Sequence, residues 1–154
     1  MTNVSLAQSY MVKARKRLKI LVVLMDESDY SDVVREAQEI VELALKGMLR
    51  QVGIEPPKWH DVGQMLKEYR HRFPDQVAAQ VERLAEISSW LRKEREFSFP
   101  KGLSVYGDID FIPTEEYSPA DALRAAEDAR FVVSVAQSVM PLLDAISPDP
   151  PEGG

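Results

Sequence analysis

The longest regular alternation of apolar and polar positions is SDVVREAQEIVELALKGMLRQVG, residues 31–53. Val34, Ala37, Val41, Ala44 and Met48 recur at steps of three and four, which sets them on one face of a helix. Val33, Ile40, Leu45, Leu49 and Val52 widen that face, so the helix is expected to have neighbours on several sides. Ser31 is expected to cap its start, and Asp32 suits the positive end of the helix dipole. Glu42 and Lys46 are spaced as a favourable ion pair. Gly53 supplies a left-handed stop, and Ile54, Pro56 and Pro57 oppose continuation.

Four further helices follow from the same period. Leu6–Glu27 carries the seam Ala7, Met11, Ala14, Leu18, Leu21, Met25. The short turn Glu27–Tyr30 makes it antiparallel to the Ser31–Gly53 helix. A short helix is expected from about His60 to Arg70, with Val62, Met65, Leu66 and Tyr69 apolar; Gly63 weakens it, so packing must help hold it. After Phe73-Pro74, Asp75 is an expected cap for a helix over Gln76–Glu96, with Val77, Val81, Leu84, Ser88 and Leu91 as seam. Phe97–Tyr117 is irregular, long and aromatic, the kind of stretch that often carries function. Ser118-Pro119-Ala120-Asp121 opens the last helix. Its seam is Ala122, Ala126, Ala129, Val133, Ala136, Met140, Leu143, with Val132, Val135, Val139 and Ile146 on a second side, and Pro141 is expected to end or kink it. No strand pattern or internal repeat is present. The expected fold is all-α, an up-and-down antiparallel bundle of about five helices over residues 1–147, with 148–154 a disordered tail by composition.

Composition narrows the functions open to such a bundle. The 154 residues suffice for one domain with its own core. There is no cysteine, which excludes disulfides, thiol catalysis and cysteine-ligated zinc and suits the cytoplasm. The only histidines, His60 and His71, are too few for a three-histidine metal site. A net charge of −6 argues against a general nucleic-acid coat. Lys13, Arg15, Lys16, Arg17 and Lys19 nevertheless form a basic block. A solvated helix face is the favoured reading, a landing strip for phosphates the sharper one. The apolar run Ile20–Met25 is too short for a signal peptide or a membrane span.

Three places together resemble the HEPN domain family. Ala37, Glu42 and Lys46, followed by Gly53, resemble the family's second helix; Pro57, His60, Asp61 and Leu66 match its Pro-x-x-His-Asp start to the third. Arg95, Tyr106-Gly107-Asp108, Tyr117, Asp121 and Asp128 resemble its archaeal-type ending. The resemblance implies a helical bundle, usually a homodimer, often found beside a minimal nucleotidyltransferase. Many members are ribonucleases with an Arg a few residues ahead of a His. Here no Arg stands between Gly53 and Trp59, Arg50 is too far from His60, and His71 has only the adjacent Arg70. The resemblance therefore implies a non-catalytic module that binds a nucleotide or a nucleotidyltransferase partner, as in a toxin–antitoxin pair. An RNA-binding or RNA-cleaving toxin and a purely structural dimer are the alternatives.

The ligand-binding candidates it points to are His60, Asp61, Arg95, Tyr106, Gly107, Asp108 and Tyr117. His60 can be a capping residue or a titrating, ligand-contacting group. Tyr106-Gly107-Asp108 can be a structural turn or, with Arg95, line a groove where a guanidinium meets a phosphate. Asp108 and Asp110, with Glu115 and Glu116, lack a full ligand set for a cation, so solvated roles are favoured. Trp59 and Trp90 are favoured as core or interface anchors over base-stacking platforms, and His71 as a surface residue. No catalytic residue, metal or cofactor is assigned: nucleophile–base pairs and phosphate loops are missing from the sequence.

Overall fold

The computed structural model describes residues 2–56, 58, 61–98 and 117–140, for 94–98 the backbone only. Six α-helices fill it: α1 (Asn3–Asp26), α2 (Tyr30–Gln51), α3 (Val62–Glu68), α4 (Asp75–Ala78), α5 (Val81–Ser98) and α6 (Pro119–Val139). A 3-10 turn, Arg70–Arg72, links α3 to α4. The expected tail, 148–154, lies outside the described residues.

α2 is the central element. It packs against α1, α6, α5 and α3, as its wide apolar face requires. Val33, Val34, Ala37, Ile40, Val41, Ala44, Leu45, Met48 and Leu49 are all buried. Small residues set the spacing on both flanks. At Gly47 a Cβ would be tight only against the Met140 Cε, at 3.1 Å, and at ordinary contact with Tyr10 and Ala7 of α1. Ala122, Ala125, Ala126, Ala129 and Ala136 of α6 are likewise buried.

Several helix ends differ from expectation. α1 starts at Asn3, not Leu6, because Thr2 and Ser5 form a reciprocal capping box. α2 starts at Tyr30, so Ser31 is not the cap. The turn is tightened by Ser28, whose φ of 57° is left-handed, and the Asp29 N–H donates back to the Leu24 carbonyl at 2.9 Å. Ser31 then falls inside the first turn, where its hydroxyl is buried without a hydrogen-bond partner. At the other end Gly53 takes φ 83° as expected, and the Ile54 N–H reaches the Leu49 carbonyl at 2.9 Å.

The expected helix over Gln76–Glu96 is two. Pro74 occupies the cap position and Asp75 the first turn of α4. The Gln80 N–H then bonds to Val77 rather than Gln76, which redirects the chain while Val77 and Val81 both stay in the core. α6 has the expected cap: Ser118 accepts from the Asp121 N–H, and the Asp121 carboxylate accepts from the Ser118 N–H. It stops at Val139, just before Pro141. Among the described residues no helix is long and apolar enough to cross a membrane.

Candidate functional site

The corner between α3 and the end of α5 is where the described candidates meet. Gly63, in the first turn of α3, makes this meeting close. A Cβ on Gly63 would lie 3.0 Å from the Ala85 Cα, so α3 sits directly on the backbone of α5. The seat carries Asp61 to α5. Its carboxylate accepts from the Gly63 N–H at 2.9 Å, capping α3. The same oxygen stands 3.3 Å from Arg92 Nη1. Both side chains remain partly open, at 43% and 47% exposure. Arg95 lies one turn further along α5. The corner thus sets a carboxylate-braced guanidinium in the last turns of α5, within a run of mixed charge.

A second ion cluster fixes the other end of α3. Glu82 accepts from Arg70 and stands 3.5 Å from Lys67. The Arg70 hydrogen bond, with Lys67 adding, holds the Glu82 carboxyl below its ordinary value.

α5 is tied to α6 by side chains more than by packing. Trp90 Nε1 donates to Asp128 Oδ2 at 2.9 Å, and the Arg124 guanidinium lies 4.2 Å over the Trp90 ring. Arg124 also reaches that Asp128 oxygen at 3.8 Å. Arg83 stacks 3.9 Å over Phe131 in the same way. Trp90 is therefore an anchor between helices, as favoured from sequence.

Of the other sequence candidates, Tyr117 is buried, at 7% exposure, with its ring in the core just before the α6 cap. His60, Trp59, Tyr106, Gly107, Asp108, Asp110, Glu115 and Glu116 lie outside the described residues. His71 is exposed, beside Tyr69. Arg92 is the residue that sequence reasoning missed, because it stands in a charged run that a helix end explains. Among the described residues no group of three or more His, Asp or Glu is placed to hold a metal ion.

The residues of the resemblance have definite places. Ala37 is buried in α2. Glu42 takes Lys46 at 3.2 Å and accepts from Gln38 at 3.1 Å. Asp121 caps α6, and Asp128 holds Trp90. The sequence model of the HEPN domain matches residues 7–140, from the first turns of α1 to the end of α6. The chain belongs to the HEPN domain family. No curated protein and no solved structure matches the chain significantly. The HEPN match takes in α2 to α6 whole and all but the first residues of α1, so the α3–α5 corner lies within the domain.

Proposed function

We propose that this HEPN domain is a non-catalytic module that works in the cytoplasm as a pair of chains and holds the phosphates of a nucleotide at the α3–α5 corner. A minimal nucleotidyltransferase is the partner that the family resemblance implies. The observation that carries the reading is the Asp61–Arg92 contact of 3.3 Å. It orients a half-exposed guanidinium, the group best suited to bidentate phosphate recognition, beside Arg95 on one helix end. His60 precedes Asp61 directly in the chain and completes the candidate set.

The non-catalytic part rests on where the arginines stand. Arg50, the arginine preceding His60 in the chain, donates to Asn3 Oδ1 at 2.9 Å and stands 3.6 Å from Glu55. It is engaged toward the start of α1. The basic block of α1 gives RNA little support, since Arg17 is taken up by Glu36 at 3.2 Å and Glu39 at 3.9 Å.

The test is thermal unfolding in millimolar ATP or GTP. A nucleotide at ten times its Kd adds about 1.4 kcal/mol, which raises the midpoint by about 3–5 °C for a chain of this size. Arg92→Glu is expected to abolish the rise without changing the midpoint of the free protein by more than about 2 °C. No rise with either nucleotide, and no nucleotidyltransferase recovered on co-purification, would end the proposal.

A further inference from the structure

The two carboxylates that fix α3 are used differently. Glu82 has both oxygens taken, Oε1 by Arg70 and Oε2 by Lys67. Asp61 uses one. Its Oδ1 accepts from the Gly63 N–H at 2.9 Å and stands 3.3 Å from Arg92 Nη1, while Oδ2 has no partner among the described residues. The two contacts on Oδ1 hold the carboxyl group in place, so Oδ2 is a fixed acceptor. Arg92 in turn uses Nη1 alone among the described residues and keeps its other N–H donors open. Both side chains are close to half exposed. The corner therefore presents a donor edge and an acceptor side by side.

That juxtaposition is selective. A bare polyphosphate reaching the open N–H groups of Arg92 brings its negative oxygens against the Asp61 carboxylate, and like charges this close repel. A ligand offsets the repulsion when it carries a hydrogen-bond donor next to its phosphates. In a nucleotide the ribose hydroxyls are the donors nearest the phosphate chain, and an acidic side chain is a known acceptor for them in dinucleotide-binding folds. We propose that Asp61 is the specificity-determining residue of the α3–α5 corner: its open Oδ2 accepts a ribose hydroxyl of the nucleotide whose phosphate Arg92 holds, so the site takes a ribonucleotide in preference to bare polyphosphate. The inference rests on the nucleotide reading above and names the feature beyond phosphate that the site selects. It needs no rearrangement of α3, because the capping bond to Gly63 occupies Oδ1 and leaves Oδ2 to the ligand.

Isothermal titration calorimetry on the full chain, in buffer free of divalent cations, compares ATP, 2′,3′-dideoxy-ATP and tripolyphosphate. ATP is expected to bind about tenfold more tightly than its dideoxy form, the size of one hydroxyl bond to a charged acceptor. Tripolyphosphate is expected to bind more weakly than ATP despite its greater charge. Asp61→Asn gives a test of sign. Asparagine caps a helix as well as aspartate does, so the unfolding midpoint of the free protein should stay within about 2 °C. The neutral amide removes the repulsion and the charged acceptor together. Tripolyphosphate should then bind about threefold more tightly, and ATP, which gains the same relief but loses the hydroxyl bond, about threefold more weakly. A residue that only braced Arg92 would weaken both ligands on substitution, and one that only repelled anions would strengthen both; either result would overturn the inference, as would equal affinity of the wild-type protein for ATP and its dideoxy form. Equal binding of ATP and tripolyphosphate would overturn the inference and leave the phosphate reading standing, whereas binding of neither would overturn both.

Discussion

Gly63→Ala tests whether the candidate corner is built as described. The added methyl would meet the Ala85 Cα at 3.0 Å, the Ala85 Cβ at 3.2 Å and Asp61 Oδ1 at 3.3 Å. Two of these atoms belong to the α5 wall, and a backbone atom cannot swing aside as a side chain can. Relief requires α3 to lift from α5, a repacking that costs about 1–3 kcal/mol. The lift also loosens the Asp61 cap, worth about 1 kcal/mol. Against this, alanine improves helix propensity by at most about 1 kcal/mol. The net expectation is a loss of about 1–2 kcal/mol, or about 3–6 °C in midpoint. Gly47→Ala is the control. Its methyl would approach the Met140 Cε at 3.1 Å, but that atom ends a flexible side chain; Tyr10 Cβ at 3.4 Å and Ala7 O at 3.5 Å are at ordinary contact. The propensity gain there nearly offsets the crowding, and the change should stay within about 0.5 kcal/mol. Urea denaturation of both variants, read by far-ultraviolet circular dichroism, makes the comparison. A Gly63→Ala protein as stable as wild type, with Gly47→Ala the weaker of the two, would refute the seating of α3 on α5 and with it the geometry of Asp61 and Arg92.

Two other expectations concern charged groups. Asp128→Ala leaves the half-buried Trp90 N–H without its acceptor and should cost about 1–2 kcal/mol, whereas in a Trp90→Phe background it should cost about 1 kcal/mol less; equal costs in the two backgrounds would show that the bond contributes nothing. Burial raises the Glu36 carboxyl above its ordinary 4.5, with Arg17 opposing and Glu39 and Asp32 adding. The folded protein therefore binds this proton more readily than the unfolded chain, so Glu36 adds stability below 4.5 and loses that gain as pH rises through its folded value. Glu36→Gln should then be at least as stable as wild type at neutral pH, with its relative advantage gone by pH 4.5, measured as unfolding midpoints across that range; the opposite slope would refute it.

The parts of the fold that sequence made legible are those where one residue type has one physical use. The seams of α1, α2 and α6 could be read because buried positions recur with the helix period and stay apolar. Gly53 and Ser118-Pro119 marked ends because only a few residues suit a left-handed stop or a capped start. What could not be read depends on partners distant in the chain or on residues without a signature. Ser28 takes a left-handed turn that glycine or asparagine would have announced. The break at Ala79 and Gln80 keeps the apolar spacing of one continuous helix and so gives no sign of itself. Gly63 is visible in sequence as a weakness of its helix. That it is the seat of α3 depends on Ala85, twenty-two positions away, whose backbone it touches.

The two charged regions show why charge read along the chain misleads. The end of α5 reads as a run of mixed sign, and a helix terminus accounts for it; distance alone singles out Arg92, because the Asp61 carboxylate that caps α3 stands 3.3 Å from it. In α1 the block from Lys13 to Lys19 reads as a basic strip, with Asp26 and Glu27 set apart as the acids that follow it. On the helix surface they are not apart. Lys16 and Glu27 close the two ends of one exposed row, and Lys19 and Asp26 the ends of its neighbour. The feature with physical consequence is thus the order of signs along a face, cation to acid across an aliphatic centre, rather than an excess of either sign. A polyanion such as RNA would find one half of that face favourable and the other repulsive.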